Sequence, residues 1–336
     1  MKRALVTGGC GFIGSNLSHE LVKRGWTVDI IDDMSNGHLD LLEGLKFRAI
    51  PIDLLDEFYN QRYAATGNTR DPNEVHVIEG DFAHQNICKN ISEKMYDVVF
   101  HQAAVPRVSY SVENPAHTTD VNISSTVRLF EACRGSVNRI VWASSSSVYG
   151  GADTLPTAET TEKNPKSPYA WQKTSIEDLA SLFGSLYDLD IVCLRYFNVF
   201  GPGQYGDSPY ATAVSSWCHR TKNAMPLRSD GDGSQSRDLC YIDNVVEANI
   251  LAALSERKFM GEAYNVACGD KTTNREILEH FKKKFSHTIV QEAPWRPGDV
   301  MHTQADISKI QNDLGYEVKV RFWAGLQKTL DWWGLI

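Results

Sequence analysis

Ser145, Tyr169 and Lys173 are residues whose types and spacing can do chemistry together, taking a proton from an alcohol as hydride leaves its carbon. Tyrosine ordinarily titrates near about 10 and is a poor base at neutral pH. A nearby ammonium and a positively charged hydride acceptor both favour the phenolate. Tyr169 and Lys173 stand four residues apart, hence on one face of the helix that Ser167-Pro168 introduces. Of 13 tyrosines only Tyr169 has a lysine four residues on, yet chance alone can supply such a pair in a chain of this composition. Position gives the pair its meaning: it follows, one βα unit later, the run Ser144-Ser145-Ser146-Ser147 at a strand's end. A serine run is otherwise an ordinary polar loop. In the chemical reading Ser145 hydrogen-bonds the reacting oxygen and helps pass its proton.

A hydride acceptor needs a cradle, and the amino terminus offers one. Gly8, Gly11 and Gly14 follow the strand-like Arg3-Ala4-Leu5-Val6-Thr7 and open a helical run from Ile13. Without side chains, backbone N–H groups and the positive helix end can approach a pyrophosphate closely. A glycine triplet alone also suits any strand-to-helix turn. Asp32 ends the next strand 18 residues beyond Gly14, followed by Asp33 and Asn36. A carboxylate there bonds both ribose hydroxyls and repels a 2′-phosphate, which points to NAD over NADP. An Asp-Asp pair is otherwise a solvated turn. Asp81, with Phe82 beside it, ends a further strand and can meet the adenine edge. Ala103-Ala104 leave room for a cofactor to cross the sheet, and Lys173 would also hold the nicotinamide ribose. His101 reads as structural, since nothing nearby identifies a partner for it.

The elements that must position these groups alternate. Strand-like runs at Ala4–Thr7, Val28–Asp32, Val75–Glu79, Asp97–His101, Arg139–Ala143 and Ile191–Arg195 are interleaved with helical patterns at Ile13–Arg24, Ser124–Arg134 and Tyr169–Tyr187. That order predicts an α/β fold, a Rossmann-type doubly wound parallel sheet covered on both faces. Residues 39–73 fit it poorly: they read as an insertion with a short helix at Leu54–Tyr63 and no assignable role. Beyond about residue 198, Gly- and Pro-rich stretches precede helical patterns at Asn244–Glu256, Asn274–Phe285 and Phe322–Trp333. The expected division is a dinucleotide-binding domain over 1–198, with a return segment at about 239–267. A smaller α/β substrate-binding lobe takes 199–238 and 268–336.

Hydrophobic content of 42% and charged content of 23% are those of a soluble globular chain of 336 residues. A net charge of −8 argues against a nucleic-acid partner. Seven scattered cysteines, none in a CxxC pair, favour reduced thiols in the cytoplasm over disulfides or zinc, and no metal is expected. A strand beginning almost at Met1 leaves no room for a secretory leader, and no apolar run is long enough to cross a membrane.

Six ordered motifs resemble the extended short-chain dehydrogenase/reductase family over nearly the whole chain. They are Thr7-Gly8-Gly9-Cys10-Gly11-Phe12-Ile13-Gly14, Ser144 through Gly150, Ser167-Pro168-Tyr169-Ala170-Trp171-Gln172-Lys173, Leu194 through Pro202, Arg237 through Asp243, and Arg296-Pro297-Gly298-Asp299. Within that family they are most similar to the UDP-sugar 4-epimerases, particularly those acting on UDP-N-acetylglucosamine. The resemblance implies that Phe12 and Ile13 join the glycines in binding NAD. It makes Ser145 the catalytic hydroxyl, Tyr169 the base and Lys173 its partner. Asn198, Arg237 and Arg296 would hold the sugar nucleotide's diphosphate, Ser146 would line the sugar site, and Asp299 would meet the nucleoside ribose. The two arginines also suit phosphate by their planar guanidinium, though each is otherwise a surface ion pair. The implied reaction passes hydride from sugar C4 to NAD and back on the other face, through a 4-keto sugar, in a homodimer paired through Ser124–Arg134 and Tyr169–Tyr187.

Two departures are informative. Dehydratases of the family carry an Asp-Glu pair after the catalytic hydroxyl, where this chain has Ser146-Ser147. Thr303 falls where members restricted to unacetylated sugars carry a tyrosine, which leaves room for a 2-N-acetyl group. Two rivals stay open. A UDP-glucuronate 4-epimerase or decarboxylase would use Arg107 against a carboxylate. A catalytically silent NAD sensor would keep only the fold.

Overall fold

The computed structural model describes residues 2–64, 71, 73–151, 153–207, 211–295 and 300–336. The chain opens with β1 (Arg3–Thr7), α1 (Phe12–Lys23), β2 (Thr27–Asp32), β3 (Lys46–Pro51), α2 (Leu55–Ala64) and β4 (Glu74–Glu79). It continues through α3 (Gln85–Ser92), β5 (Val98–His101), α4 (Val108–Glu113), α5 (Pro115–Thr119), a π-helical turn at Asp120–Ser125 and α6 (Thr126–Ala132). Then come β6 (Arg139–Ser145), α7 (Pro168–Tyr187) and β7 (Ile191–Tyr196).

These strands, with β12 (Met260–Val266) further on, form one eight-stranded parallel sheet in the order β12-β7-β6-β5-β1-β2-β4-β3. Side chains alternate between two cores: Ala4 and Val6 pack to one face with Leu17 and Leu21, Leu5 to the other with Ile87 and Phe130. Strands apolar on both faces are the signature of a sheet covered by helices on each side. The chain runs outward in both directions from β1 and β5, so a crevice opens at their carboxyl ends, where ligands of such sheets bind.

No strand was expected between Asp32 and Val75, yet β3 pairs with β4 along the sheet's edge and α2 makes its crossover. The predicted helix at Leu54–Tyr63 is α2, shifted by one residue. The strand was illegible because its sequence, Lys46-Phe47-Arg48-Ala49-Ile50-Pro51, buries only Ile50. Charges and proline on an exposed edge guard against further pairing and erase the apolar pattern.

The remainder comprises β8 (Val199–Phe200), α8 (Ala213–Lys222), β9 (Leu227–Asp230), β10 (Ser236–Arg237), β11 (Cys240–Tyr241), α9 (Ile242–Leu254) and β12 (Met260–Val266). It ends with β13 (Thr272–Thr273), α10 (Asn274–Lys284), β14 (Val290–Ala293), α11 (Ser308–Leu314) and α12 (Phe322–Trp332). Three short strand pairs, β8·β11, β9·β14 and β10·β13, stand apart from the main sheet. Among the described residues no helix is long and apolar enough to cross a membrane.

Candidate active site

Gly8 turns the chain out of β1 with φ at +67°, a conformation that favours glycine. A Cβ at Gly8 would stand 2.9 Å from the Ala103 backbone, and one at Gly14 only 2.1 Å from the Gly8 carbonyl oxygen. Glycine is therefore required where α1 packs onto the loop. The N-cap of α1 is Gly11, whose lack of a side chain leaves the helix end without a side-chain cap. Such an end is an anion site. Phe12 and Ile13 begin the helix and are half-buried.

Asp32 is buried at the end of β2 and accepts N–H bonds from Cys10 at 2.9 Å and Met34 at 3.0 Å. Burial raises its pKa, and those two N–H groups oppose the shift. Asp33 is exposed and closes a turn onto Ser35, while Asn36 accepts from Arg107 at 2.7 Å. Asp81 takes the Ala83 N–H at 2.8 Å, and Phe82 packs on His101. The Ala103 N–H donates to Thr7 Oγ at 3.1 Å, which ties the loop after β5 to the end of β1; Ala104 follows, half-buried. The buried His101 contacts hydroxyls of Thr7 and Thr126 through its two ring nitrogens, and burial lowers its pKa.

The carboxyl end of β6 delivers Ser145, and α7 delivers Tyr169 and Lys173. Ser167 caps α7 by accepting the Ala170 N–H at 3.2 Å, with Pro168 in the first turn. The Tyr169 N–H donates to Ser111 Oγ at 3.1 Å, which joins the helix start to α4. The Ser145 side chain lies near enough to the Tyr169 phenol to hold its pKa down against burial. Lys173 is 3% exposed, donates to the Ala143 carbonyl at 2.7 Å and stands over the Trp142 ring at 4.7 Å.

The acidic phenol expected of this trio depends on the lysine and a positively charged nicotinamide together; the protein alone carries only the lysine. Burial pushes the Tyr169 phenol up to about 12, opposed only by Ser145. Burial also lowers the Lys173 ammonium to about 7, with Cys193 and Glu177 opposing the fall. Both groups pay for desolvation of their charged forms, and the lysine spends its proton on a carbonyl instead of the phenol.

Asn198, Arg237 and Thr303 come together on the other side of β7. Asn198 Nδ2 donates to Thr303 Oγ at 3.2 Å and to the Asp238 carbonyl at 3.3 Å. Its φ of +27° is a strained setting for a residue other than glycine. A cleft of about 540 Å³ opens here, lined by Asn198, Trp217, Arg220, Arg228 and Arg237 among others. Tyr196, two residues before Asn198, is in register with Ser145, so the strand that leads to Asn198 runs beside the serine strand. Ser146 opens the short helix after Ser145 and is half-buried. Arg296 and Asp299 lie outside the described residues.

Two supporting devices escaped the sequence reading. Gln172 accepts from Asn122 at 2.8 Å and donates to Thr118 and Thr119, and Asn122 also brackets both backbone groups of Val105. That chain of bonds ties α7 to the loop beside the cofactor crevice. Asp238, fully buried, accepts N–H bonds from Cys268, Gly269 and Ala305, and burial raises its carboxyl to about 7. Neither has a local signal, because every partner is distant in sequence.

The fold and the glycine loop define a dinucleotide-binding α/β protein. The chain belongs to the NAD dependent epimerase/dehydratase family, whose model matches residues 4–267. Its fold resembles a UDP-N-acetylglucosamine 4-epimerase from Methanobrevibacter ruminantium solved in complex with UDP-N-acetylmuramic acid, with a TM-score of 0.85 and 33% identity over 98% of this chain and 97% of that one. A UDP-glucose 4-epimerase of Mycolicibacterium smegmatis is 30% identical over 98% of this chain and 97% of its own length. A UDP-N-acetyl-alpha-D-glucosaminuronate decarboxylase of Bacillus cytotoxicus is 29% identical with the same coverage. The cofactor is NAD, and the uncapped helix end and the buried acid at the end of β2 fit it.

Proposed function

We propose that this enzyme epimerises a UDP-sugar at C4, interconverting UDP-N-acetylglucosamine with UDP-N-acetylgalactosamine and accepting UDP-glucose and UDP-galactose. The observation that carries the reading is the meeting of Ser145, Tyr169 and Lys173 at the end of β6, beside β7, the strand that leads to Asn198. NAD, when bound, would supply the hydride acceptor for C4 and the hydride donor for the 4-keto sugar. Tyr169 takes the 4-hydroxyl proton and gives it back as the hydroxyl re-forms, while Ser145 holds the same oxygen and relays the proton. Lys173 supports the phenolate and the nicotinamide ribose. Burial holds the phenol high in the protein alone, and a positively charged nicotinamide beside it would lower it. Asn198 and Arg237, with Arg296, grip the diphosphate while the 4-keto sugar turns about its link. Ser146-Ser147 supply no acid–base pair for dehydration. Thr303, small and turned toward Asn198, leaves space for the acetyl group.

Residues 1–198 and 239–267 serve as the NAD-binding unit, with β12 of the return segment lying beside β7. The rest forms the substrate lobe. We assign the protein to the cytoplasm as a homodimer paired through the helices around Ser124–Arg134 and Tyr169–Tyr187. α7 exposes Trp171, Leu182 and Leu186, an apolar face suited to a second copy.

The test is incubation of NAD-loaded protein with a panel of UDP-sugars, with products resolved by proton NMR coupling at C4. Inversion at C4 of the acetylated sugar supports the reading. Turnover of UDP-glucose but never of UDP-N-acetylglucosamine rejects the substrate assignment. The decarboxylase relative favours one rival, and release of CO₂ from labelled UDP-glucuronate would establish it. No conversion of any UDP-sugar would leave a silent NAD-binding protein.

A further inference from the structure

Three residues spaced four apart on one face of α7 meet three consecutive residues at the end of β6. Tyr169 has Ser145 as its neighbour, and Lys173 donates to the Ala143 carbonyl at 2.7 Å. The third contact has no part in the reaction derived above: Ser144 Oγ donates to Glu177 Oε1 at 2.6 Å. Glu177 is 3% exposed. Arg195 of β7 closes on it with both arms, Nε to Oε1 at 2.8 Å and Nη2 to Oε2 at 2.7 Å. Its third nitrogen donates to the Tyr149 hydroxyl at 2.7 Å and the Glu159 carbonyl at 3.2 Å.

We propose that Glu177 is a positioning residue of the reaction: clamped between Ser144 and Arg195, it sets the register of α7 on β6 and places a buried carboxylate one helical turn from Lys173. This inference rests on the functional reading above. A buried ion pair is poor evidence for stability, because desolvation consumes most of the attraction, so such a pair is better explained by what it holds in place. What it holds is adjacent. Ser144 lies between the carbonyl that fixes Lys173 and the hydroxyl that faces Tyr169. A slip of α7 along the strand would break all three contacts together.

The charge matters as well as the clamp. Lys173 is faced on its own helix by Tyr169 and Glu177, on β7 by Cys193, on β5 by His101, and on β6 by the Trp142 ring. Glu177 is faced by Arg195, by Lys163 at 3.5 Å, and by Cys193 and Tyr149. Among the groups facing Lys173, Glu177 is the carboxylate. Neutralising it removes support for the ammonium, so less Lys173 is charged at a given pH. The Tyr169 phenolate then loses its partner, and more alkaline conditions are needed to form it.

The experiment uses NAD-loaded protein and whichever of UDP-glucose and UDP-N-acetylglucosamine the wild type converts, with kcat and KM followed against pH. Glu177→Gln should lower kcat about tenfold or more while KM stays within about twofold. The ascending limb of its pH profile should move up by about one unit. Glu177→Asp keeps the charge on a shorter arm, so its pH limb should stay in place while kcat falls. Asp190→Asn serves as comparator: it breaks another buried pair, with Arg139 at 2.7 Å, at the opposite end of β6. It should lower Tm and leave kcat and the pH limb unmoved.

Wild-type kcat and pH limb in Glu177→Gln would overturn the proposal, as would the same losses in Asp190→Asn. Should Glu177→Gln fail to fold, Ser144→Ala decides, since it removes the 2.6 Å bond without stranding a charge. A several-fold fall in its kcat supports the proposal, and an unchanged kcat rejects it. An inactive wild type overturns the functional reading and this inference with it. An active wild type indifferent to Glu177 overturns this inference alone.

Discussion

Lys173 Nζ stands 5.7 Å from the centre of the Tyr169 ring, and its hydrogen bond goes to the Ala143 carbonyl at 2.7 Å. The pair is thus coupled through space within a buried pocket. The lysine is held by the strand, and burial keeps the phenol high in the protein alone.

Tyr169→Phe removes the hydroxyl and leaves the ring's packing intact. With the protein NAD-loaded, kcat on the accepted UDP-sugar should fall by about a hundredfold or more, with Tm and KM little changed. Steady-state assays beside a thermal melt check it. Retention of most activity would remove the phenol from the mechanism.

Lys173 carries a stability cost with a definite pH signature. Its pKa in the folded protein, about 7, lies below its ordinary 10.5, so between those values the unfolded chain binds the extra proton. Stability from this group therefore rises with pH across that window and is lowest at and below its lower edge. Lys173→Met should be inactive yet melt higher than wild type at pH 7, and its advantage should shrink as pH climbs towards 10. Thermal melts at several pH values read this directly. A gap that does not vary with pH would refute it.

Thr303 donates no bulk to the cleft but does brace it. Its Oγ accepts from Asn198 Nδ2 at 3.2 Å and from the Asp238 N–H at 3.2 Å. Thr303→Tyr should depress turnover of UDP-N-acetylglucosamine far more than that of UDP-glucose. Thr303→Ala loses the two bonds without adding bulk, so it should lower both activities alike. Equal losses on both sugars in Thr303→Tyr would reject the steric account of specificity.

Asp238→Ala should cost about 3 kcal/mol of stability, because three buried N–H groups lose their acceptor at once. Denaturant unfolding at neutral pH measures it. A loss below about 0.5 kcal/mol would show that water or a backbone shift satisfies those groups.

Features carried by a few neighbouring residues were legible in the chain alone. Glycine spacing marked the loop after β1, apolar runs marked the central strands, and Ser167-Pro168 marked the start of the helix bearing Tyr169 and Lys173. Each of those signals needs only a few neighbouring residues, because a turn's φ, a strand's pleat and a helix's first turn are set by short-range sterics and capping. Tertiary structure decided the rest. It set the edge strand Lys46–Pro51 on a partner its own composition does not advertise, and it closed Asp238 on N–H groups 30 to 67 residues away. It also buried Tyr169 and so raised its phenol in the protein alone, since desolvation depends on what covers a group, and no run of neighbours in the chain specifies that cover.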